Sequence, residues 1–123
     1  MRRLLLFAMA CVMSMSLYAQ DFDTHFEDAT LRIDYTFMGN ASEQYVALRD
    51  MSSTENWWGR RVNLDNVPLK GNGDLTLYDA TTGEVLYKTS FSSLFQEWIT
   101  TPEAATISKS FEFTLLAPMP KES

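Results

Sequence analysis

Residues 30–38 read Thr-Leu-Arg-Ile-Asp-Tyr-Thr-Phe-Met, and apolar side chains alternate with polar ones along this stretch. Successive side chains of a strand point to opposite faces, so the leucine, isoleucine, tyrosine and phenylalanine would share one side. The pair Gly39-Asn40 then interrupts the pattern. We therefore predict a strand from Thr30 to Met38 that buries one face.

Further strands are predicted on either side of turn-forming residues. Tyr45–Met51 is one, and its alternation is weaker, because Val46 and Leu48 share one face while Met51 falls on the other with Tyr45 and Ala47. We expect both faces of this strand to be covered. The remaining predicted strands are an irregular edge strand Val62–Leu69 interrupted by Pro68, the hairpin strands Asp74–Asp79 and Glu84–Ser92 around residues 80–83, and Ser110–Ala117, which Pro118-Met119-Pro120 ends.

Two short helices are predicted between the last strands. Ser92 or Ser93 can cap a helical turn that begins at Leu94 and brings Leu94, Phe95 and Trp98 over Phe91. Thr101-Pro102-Glu103 resembles a second helix start, and that helix would end near Lys109. With a long loop over Ser52–Arg61, the pattern predicts an all-β fold: an antiparallel β-sandwich with one or two short helical connections.

The N-terminus has the features of a secretory leader. Arg2 and Arg3 precede an apolar run, which is followed by small and polar residues up to Ala19. We predict a signal peptide over residues 1–19, with cleavage after Ser16 as the alternative. Residues 20–123 then form a single domain of modest core. The expected location is secreted, periplasmic or at the cell surface, with no membrane insertion after cleavage.

Charge and cysteine content exclude several classes of function. The full chain has a formal charge of −6, and loss of Arg2 and Arg3 with the leader makes it two units more negative. Such an acidic surface repels phosphate backbones, so we expect no nucleic-acid partner. Cys11, the only cysteine, lies within the leader, where we interpret it as an ordinary leader residue rather than a lipid-attachment site.

No catalytic apparatus is recognisable. A zinc site needs several ligands at fixed spacing, and the chain has a single histidine, His25. The acidic stretch Asp21–Asp28 around it could hold a cation, but we interpret it as a solvated N-terminal arm, because no glycine arranges its oxygens around one centre. We therefore predict no enzyme activity, no metal and no cofactor.

Two tryptophans in the predicted loop form the first candidate interaction surface. Trp57 and Trp58 could stack against sugars, or they could belong to the core with Arg60 or Arg61 lying over a ring. Both interpretations stay open, and we expect one of the two rings to be exposed. Trp98, by contrast, is predicted to pack in the core.

Several stretches together resemble a known family. They are residues 26–35 (FEDATLRIDY) ending at Gly39-Asn40, residues 57–61 (WWGRR) with Leu64-Asp65, residues 68–73 (PLKGNG), and residues 89–98 (TSFSSLFQEW), joined by Phe111-Glu112 and Pro118-Met119-Pro120. The chain is similar to the N-terminal domain that precedes the catalytic domain in secreted bacterial zinc metallopeptidases called IgA peptidases, peptidase family M64. The resemblance spans essentially all of residues 20–123.

The resemblance implies a β-sandwich accessory domain that is exported and normally followed by a protease domain. Since the sequence ends at Ser123, we expect that domain to be absent, and no zinc-binding or catalytic residue carries over to any position here. Leu116 and Met119 lie where the family's chain enters the protease domain, so they form a second candidate interaction surface. The partner implied is a peptidase catalytic domain, with a host or extracellular protein or a glycan as the alternative.

Overall fold

The computed structural model describes residues 22–67 and 69–121, so the predicted signal peptide lies outside the described residues. Five strands run from Phe26–Gly39 (β1), Gln44–Glu55 (β2), Gly73–Tyr78 (β3), Val85–Phe91 (β4) and Lys109–Pro120 (β5). They form a three-stranded sheet in the order β2-β1-β5 and a two-stranded sheet of β3 and β4. All the pairings are antiparallel, and the all-β prediction is confirmed.

The alternation predicted for β1 decides which side of the larger sheet packs inward. Ile33 is opposite Leu115 of β5, and Phe37 is opposite Phe111, so the odd-numbered residues of both strands share the inner face. Ile33 and Leu115 are buried there. The even-numbered residues carry polar groups on the outer face, where Thr114 donates a hydrogen bond to Asp34. β1 is therefore the central strand that positions its two neighbours.

The β3–β4 hairpin covers part of the inner face through aromatic contacts. Phe91 of β4 lies 5.3 Å from the ring of Phe113 and 6.2 Å from that of Phe37, measured between ring centroids. At the other end of the molecule, Tyr87 of β4 meets Trp57 edge-on. Two strands do not cover three, so the inner face of β2 stays open, and with its outer face in solvent all twelve residues of β2 are exposed. The expectation that both faces of this strand are covered was wrong.

The helical segments are short. Ser93 caps the helix Leu94–Trp98 (α1) by accepting a hydrogen bond from the N–H of Gln96, as predicted. Phe95 is buried, but Leu94 points away from the core and is exposed, contrary to the prediction. The second helix is a single 3-10 turn over Pro102–Ala105 and does not reach Lys109, where β5 begins.

One predicted strand and three predicted boundaries were wrong, the first of them the start of β1, which lies at Phe26 and not at Thr30. β2 continues to Glu55, four residues into the predicted loop, because Ser52, Ser53 and Thr54 still pair with β1. Residues 62–67 form bends and turns rather than a strand, since the carbonyl groups of Asn63 and Asn66 accept hydrogen bonds from the guanidinium of Arg60 and only that of Leu64 bonds to β4. β5 runs on through Pro120, and the β1–β5 register shifts beside its prolines, where N–H donors are lacking.

The N-terminal arm is not wholly solvated, because two of its rings belong to the core while Asp23, Glu27 and Asp28 stay exposed. Residues 22–25 are helical, and this turn brings Phe22 against Phe26 with their ring centroids 5.3 Å apart. Both rings are almost completely buried, in one cluster with Trp57, Leu64, Tyr87 and Ala117. The backbone N–H of Lys121 donates to the carbonyl of His25, so the two ends of the domain are held together. No helix among the described residues is long and apolar enough to cross a membrane.

Candidate functional site

The two tryptophans of the first candidate surface have opposite environments. Trp57 is 7% exposed, whereas Trp58 is 87% exposed. Trp57 follows the end of β2, and its ring packs at 87° to that of Tyr87, 5.9 Å between centroids, while its indole N–H donates to the carbonyl of Arg60. The expectation that one ring is exposed is confirmed. The pair does not form a two-ring stacking platform, because only Trp58 is accessible.

Arg60 acts as a clamp on the backbone that follows it. Its guanidinium lies 5.1 Å from the centre of the Tyr87 ring and donates hydrogen bonds to carbonyl oxygens of Asn63, Asn66 and Lys88. The N–H of Lys88 donates in turn to the carbonyl of Leu64 at 2.7 Å. The loop is thereby fastened to the outer edge of β4, and most of the donors of Arg60 are already used inside the domain.

Arg61 and Asp28 fasten the same loop to β1. Oδ1 of Asp28 accepts from the backbone N–H of Trp57 at 2.8 Å and from Nη2 of Arg61 at 2.7 Å. The Arg61 guanidinium also lies 4.6 Å from the centre of the Phe22 ring. These two hydrogen bonds hold the pKa of the Asp28 carboxyl below its usual value, the bond from the Trp57 N–H having the larger effect and that from Arg61 the smaller. Asp28, which the sequence placed in a solvated arm, is thus a structural anchor.

Gly59 completes this arrangement by its lack of a side chain. A Cβ at that position would lie 2.2 Å from a carbon of the Trp57 ring. The backbone therefore passes directly over the indole, and the motif WWGRR is explained chiefly by packing. Arginine over a ring, predicted for Arg60 or Arg61, is confirmed for both.

The second candidate surface, Leu116 and Met119, is not a single patch. Leu116 lies opposite Arg32 on the outer face of the larger sheet and is 52% exposed. Met119 is partly buried, and side chains three positions apart in a strand point to opposite faces. Between them, Ala117 and Pro118 are buried. Leu116 is therefore accessible without Met119 as an immediate neighbour on the same face.

A third surface was not predicted. Val46, Leu48 and Met51 of β2 lie opposite Phe37, Tyr35 and Ile33, so all three belong to the inner face of the larger sheet. They are nevertheless 53–58% exposed, because the hairpin stops short of β2. A groove of about 220 Å³ lies between Val46 and β3, lined by Tyr35, Phe37, Val46, Asp74, Leu75, Phe91 and Leu115.

A β-bulge explains why the sequence assigned Met51 to the wrong face. The pairing with β1 shifts between Asp34 and Tyr35, which leaves Arg49 as an extra residue in β2. Residues on the two sides of a bulge have opposite parity, so Met51 rejoins the face of Leu48 although it is three positions away. Without the partner strand, it is ambiguous whether two apolar residues three positions apart in a strand share a face. No local signal in the sequence identified this bulge.

The described residues contain no cluster of histidine, cysteine, aspartate or glutamate suited to holding a metal ion. The acids with a lowered pKa are engaged in structural contacts. Glu103 is held by Lys109 and the Trp98 indole, and Asp34 by Thr114 and Arg32. Trp98 itself is partly exposed and packs against Phe95 and Phe111.

Comparison with known proteins connects these observations to one family. No curated protein matches the chain. A family model described as the N-terminus of peptidase M64 matches residues 21–123, which covers all the elements of the sandwich. The matched region is the N-terminal part of that peptidase family and not its catalytic domain. The chain therefore belongs to the family of peptidase M64 N-terminal domains.

Proposed function

We propose that this chain is a non-catalytic accessory domain of M64-type peptidases that acts outside the cytoplasm and binds a peptidase catalytic domain. The observation that carries the proposal is the uncovered apolar side of β2. Val46, Leu48 and Met51 are each more than half exposed, although they face the same way as the buried residue Ile33. The family match supports the association with a peptidase.

The shape of this side of the molecule favours a protein partner. Val46 borders a groove that also includes the aromatic rings of Tyr35 and Phe37, and Leu48 and Met51 continue the same face along β2. Contiguous apolar surface on a small domain is the usual mark of a protein interface, because leaving it in water is unfavourable. Covering a half-exposed leucine or methionine contributes roughly 1 kcal/mol each. Several such residues together suffice for a weak contact between tethered or separate domains.

Binding to an M64 catalytic domain, measured by sedimentation, tests the proposal. Replacing Leu48 and Met51 with serine should abolish the complex, because it removes the apolar centre of the surface while leaving the core intact. The matched control replaces Leu116 and Met119 with serine, at the surface expected from the sequence. If the control abolishes binding and the β2 variant does not, the docking surface lies on β5. If neither the parent nor any variant binds, the proposed partner is wrong.

The absence of catalysis has its own test. The purified chain should retain no stoichiometric zinc after dialysis and should not cleave casein or immunoglobulin. A chelator-sensitive protease activity that copurifies with the chain through several columns would contradict the proposal.

A second candidate function is binding of a carbohydrate or protein through the Trp57–Trp58 loop. The observation in its favour is the exposed ring of Trp58. Most N–H donors of Arg60 already bind carbonyl groups within the domain, so the ring itself would make the contact. A single accessible ring can stack on one sugar face. Binding on a glycan array that disappears in Trp58→Ala, while Leu48→Ser leaves it unchanged, would support this function over docking to a peptidase.

A further inference from the structure

No strand among the described residues pairs with the outer edge of β2, where the N–H of Met51 donates to the side chain of Asp50 at 2.9 Å. β2 is the end strand of the order β2-β1-β5, and each of its twelve residues is exposed. The outer edge of β4, in contrast, is occupied by the loop that Arg60 fastens to it. An open edge presents unpaired backbone N–H and C=O groups and can pair with another strand. A strand that pairs with this edge must match its pattern of inward and outward side chains.

The bulge at Arg49 restricts which strand can do so. Up to residue 49, even-numbered residues such as Val46 and Leu48 face inward; from residue 50 onward, odd-numbered residues such as Met51 and Ser53 do. Directly opposed residues of an antiparallel pair must share a face. A second copy of β2 can pair with this edge by two-fold symmetry. It satisfies the condition along the entire strand in one register only. In that register the residue numbers of each opposed pair add to 99. Other symmetric registers oppose inward and outward residues.

That register is also chemically complementary. It places Leu48 opposite Met51 of the second copy on the inner face, so the apolar residues meet. On the outer face it places Arg49 opposite Asp50 of the second copy, and symmetry repeats both contacts. Arg49 already lies on the outer face, where it forms a 3.2 Å ion pair with Glu112. Asp50 lies opposite Asp34 of β1, so two like charges face each other there. An arginine of the second copy facing Asp50 would reduce their repulsion.

We propose that β2 pairs antiparallel with β2 of a second copy in this register, which joins the two larger sheets into one continuous six-stranded sheet. The two uncovered apolar sides then lie next to each other at the centre of the assembly. The pairing uses the backbone edge and the outer-face charges of β2, whereas docking of a peptidase domain uses the inner face; Leu48 and Met51 contribute to both contacts.

Charge reversal tests the pairing without touching the core. Arg49→Asp and Asp50→Arg each create two like-charged pairs across the symmetry axis, and each variant should associate at least about tenfold more weakly than the parent. An equimolar mixture of the two restores opposite charges at both positions. The mixture should therefore form a heterodimer as tightly as the parent forms its homodimer, as measured by sedimentation equilibrium.

The mixing result decides whether two copies pair in this register. If the two variants stay monomeric when mixed, although each has the circular dichroism spectrum of the parent, the register is wrong. A parent that is monomeric at all concentrations overturns the proposal. Glu112→Lys removes the ion pair within one copy and serves as the control; it should leave self-association within about twofold of the parent. The Leu48 and Met51 serine variant alters both contacts, whereas Arg49→Asp lies on the outer face and should leave peptidase binding unchanged, so the charge-reversal variants bear on the pairing alone.

Discussion

Replacing Trp57 with alanine should destabilise the domain severely, whereas replacing its neighbour Trp58 should not. Trp57 is 7% exposed and touches Tyr87, and its indole N–H is bonded to the carbonyl of Arg60. Removing such a ring costs about 3–5 kcal/mol, because a cavity forms and a hydrogen bond is lost. Trp58 is 87% exposed, so its removal should change the free energy of unfolding by less than about 0.5 kcal/mol.

Urea unfolding followed by far-ultraviolet circular dichroism measures both effects. With an m-value of about 2 kcal/mol/M, a loss of about 4 kcal/mol lowers the midpoint by about 2 M. In a domain of ordinary stability, the Trp57 variant would be close to unfolding in buffer. Equal midpoints for the two variants would refute the interpretation that the WWGRR motif is a packing element, and the loop would then have to be regarded as a binding site.

Other perturbations test separate parts of the fold. Phe22→Ala should lower the free energy of unfolding by about 3–5 kcal/mol, measured in urea, because this ring belongs to the core. A cost below about 1 kcal/mol would support the interpretation of the arm as solvated. Asp28 has a folded-state pKa below its unfolded value, so its contribution is present above about pH 4 and is lost as the pH falls through the folded pKa. Compared with the parent, Asp28→Asn should accordingly have a lower free energy of unfolding at neutral pH, and this free energy should fall less steeply in acid. A pH profile equal to that of the parent would exclude the role of Asp28 as an anchor. Gly73→Ala should cost about 1–3 kcal/mol in thermal unfolding, because the new Cβ meets the Phe91 ring at 2.5 Å. Gly83→Ala, where φ is +74° but nothing lies within 4 Å, should cost about 1 kcal/mol from backbone strain alone; a larger loss at Gly83 than at Gly73 would contradict the packing argument.

Local patterns in the sequence were sufficient for the central parts of the sandwich. The alternation in Thr30–Met38 identifies β1 and its buried face because that strand is paired on both sides and covered on one. The helix at Leu94 could be predicted because Ser93 supplies its cap from the adjacent position. In both cases the residues that decide the structure are neighbours in the chain.

The errors arose where a distant residue decides the structure. Residues 62–67 have the composition of a strand, but the guanidinium of Arg60 binds their carbonyl groups, and this contact depends on Tyr87 and Lys88. Phe22 was assigned to a solvated arm because its burial depends on Trp57, Tyr87 and Ala117, which are distant in the sequence. For the candidate surfaces, the exposure of Trp58 was anticipated, but the uncovered side of β2 depends on the length of a hairpin elsewhere in the chain.

The bond between Lys121 and His25 has a mechanical consequence. β1 and β5 are antiparallel and pair over most of their lengths. This bond, together with the pairing of Phe26 and Pro120, places residues 22 and 121 at the same end of the ladder. A force that pulls these two ends apart would load the hydrogen bonds one after another, as in opening a zipper, rather than all at once in shear. Tension transmitted through the chain would therefore peel β5 away from β1 from this end, and the Phe22–Phe26 cluster would be the first part of the core to open.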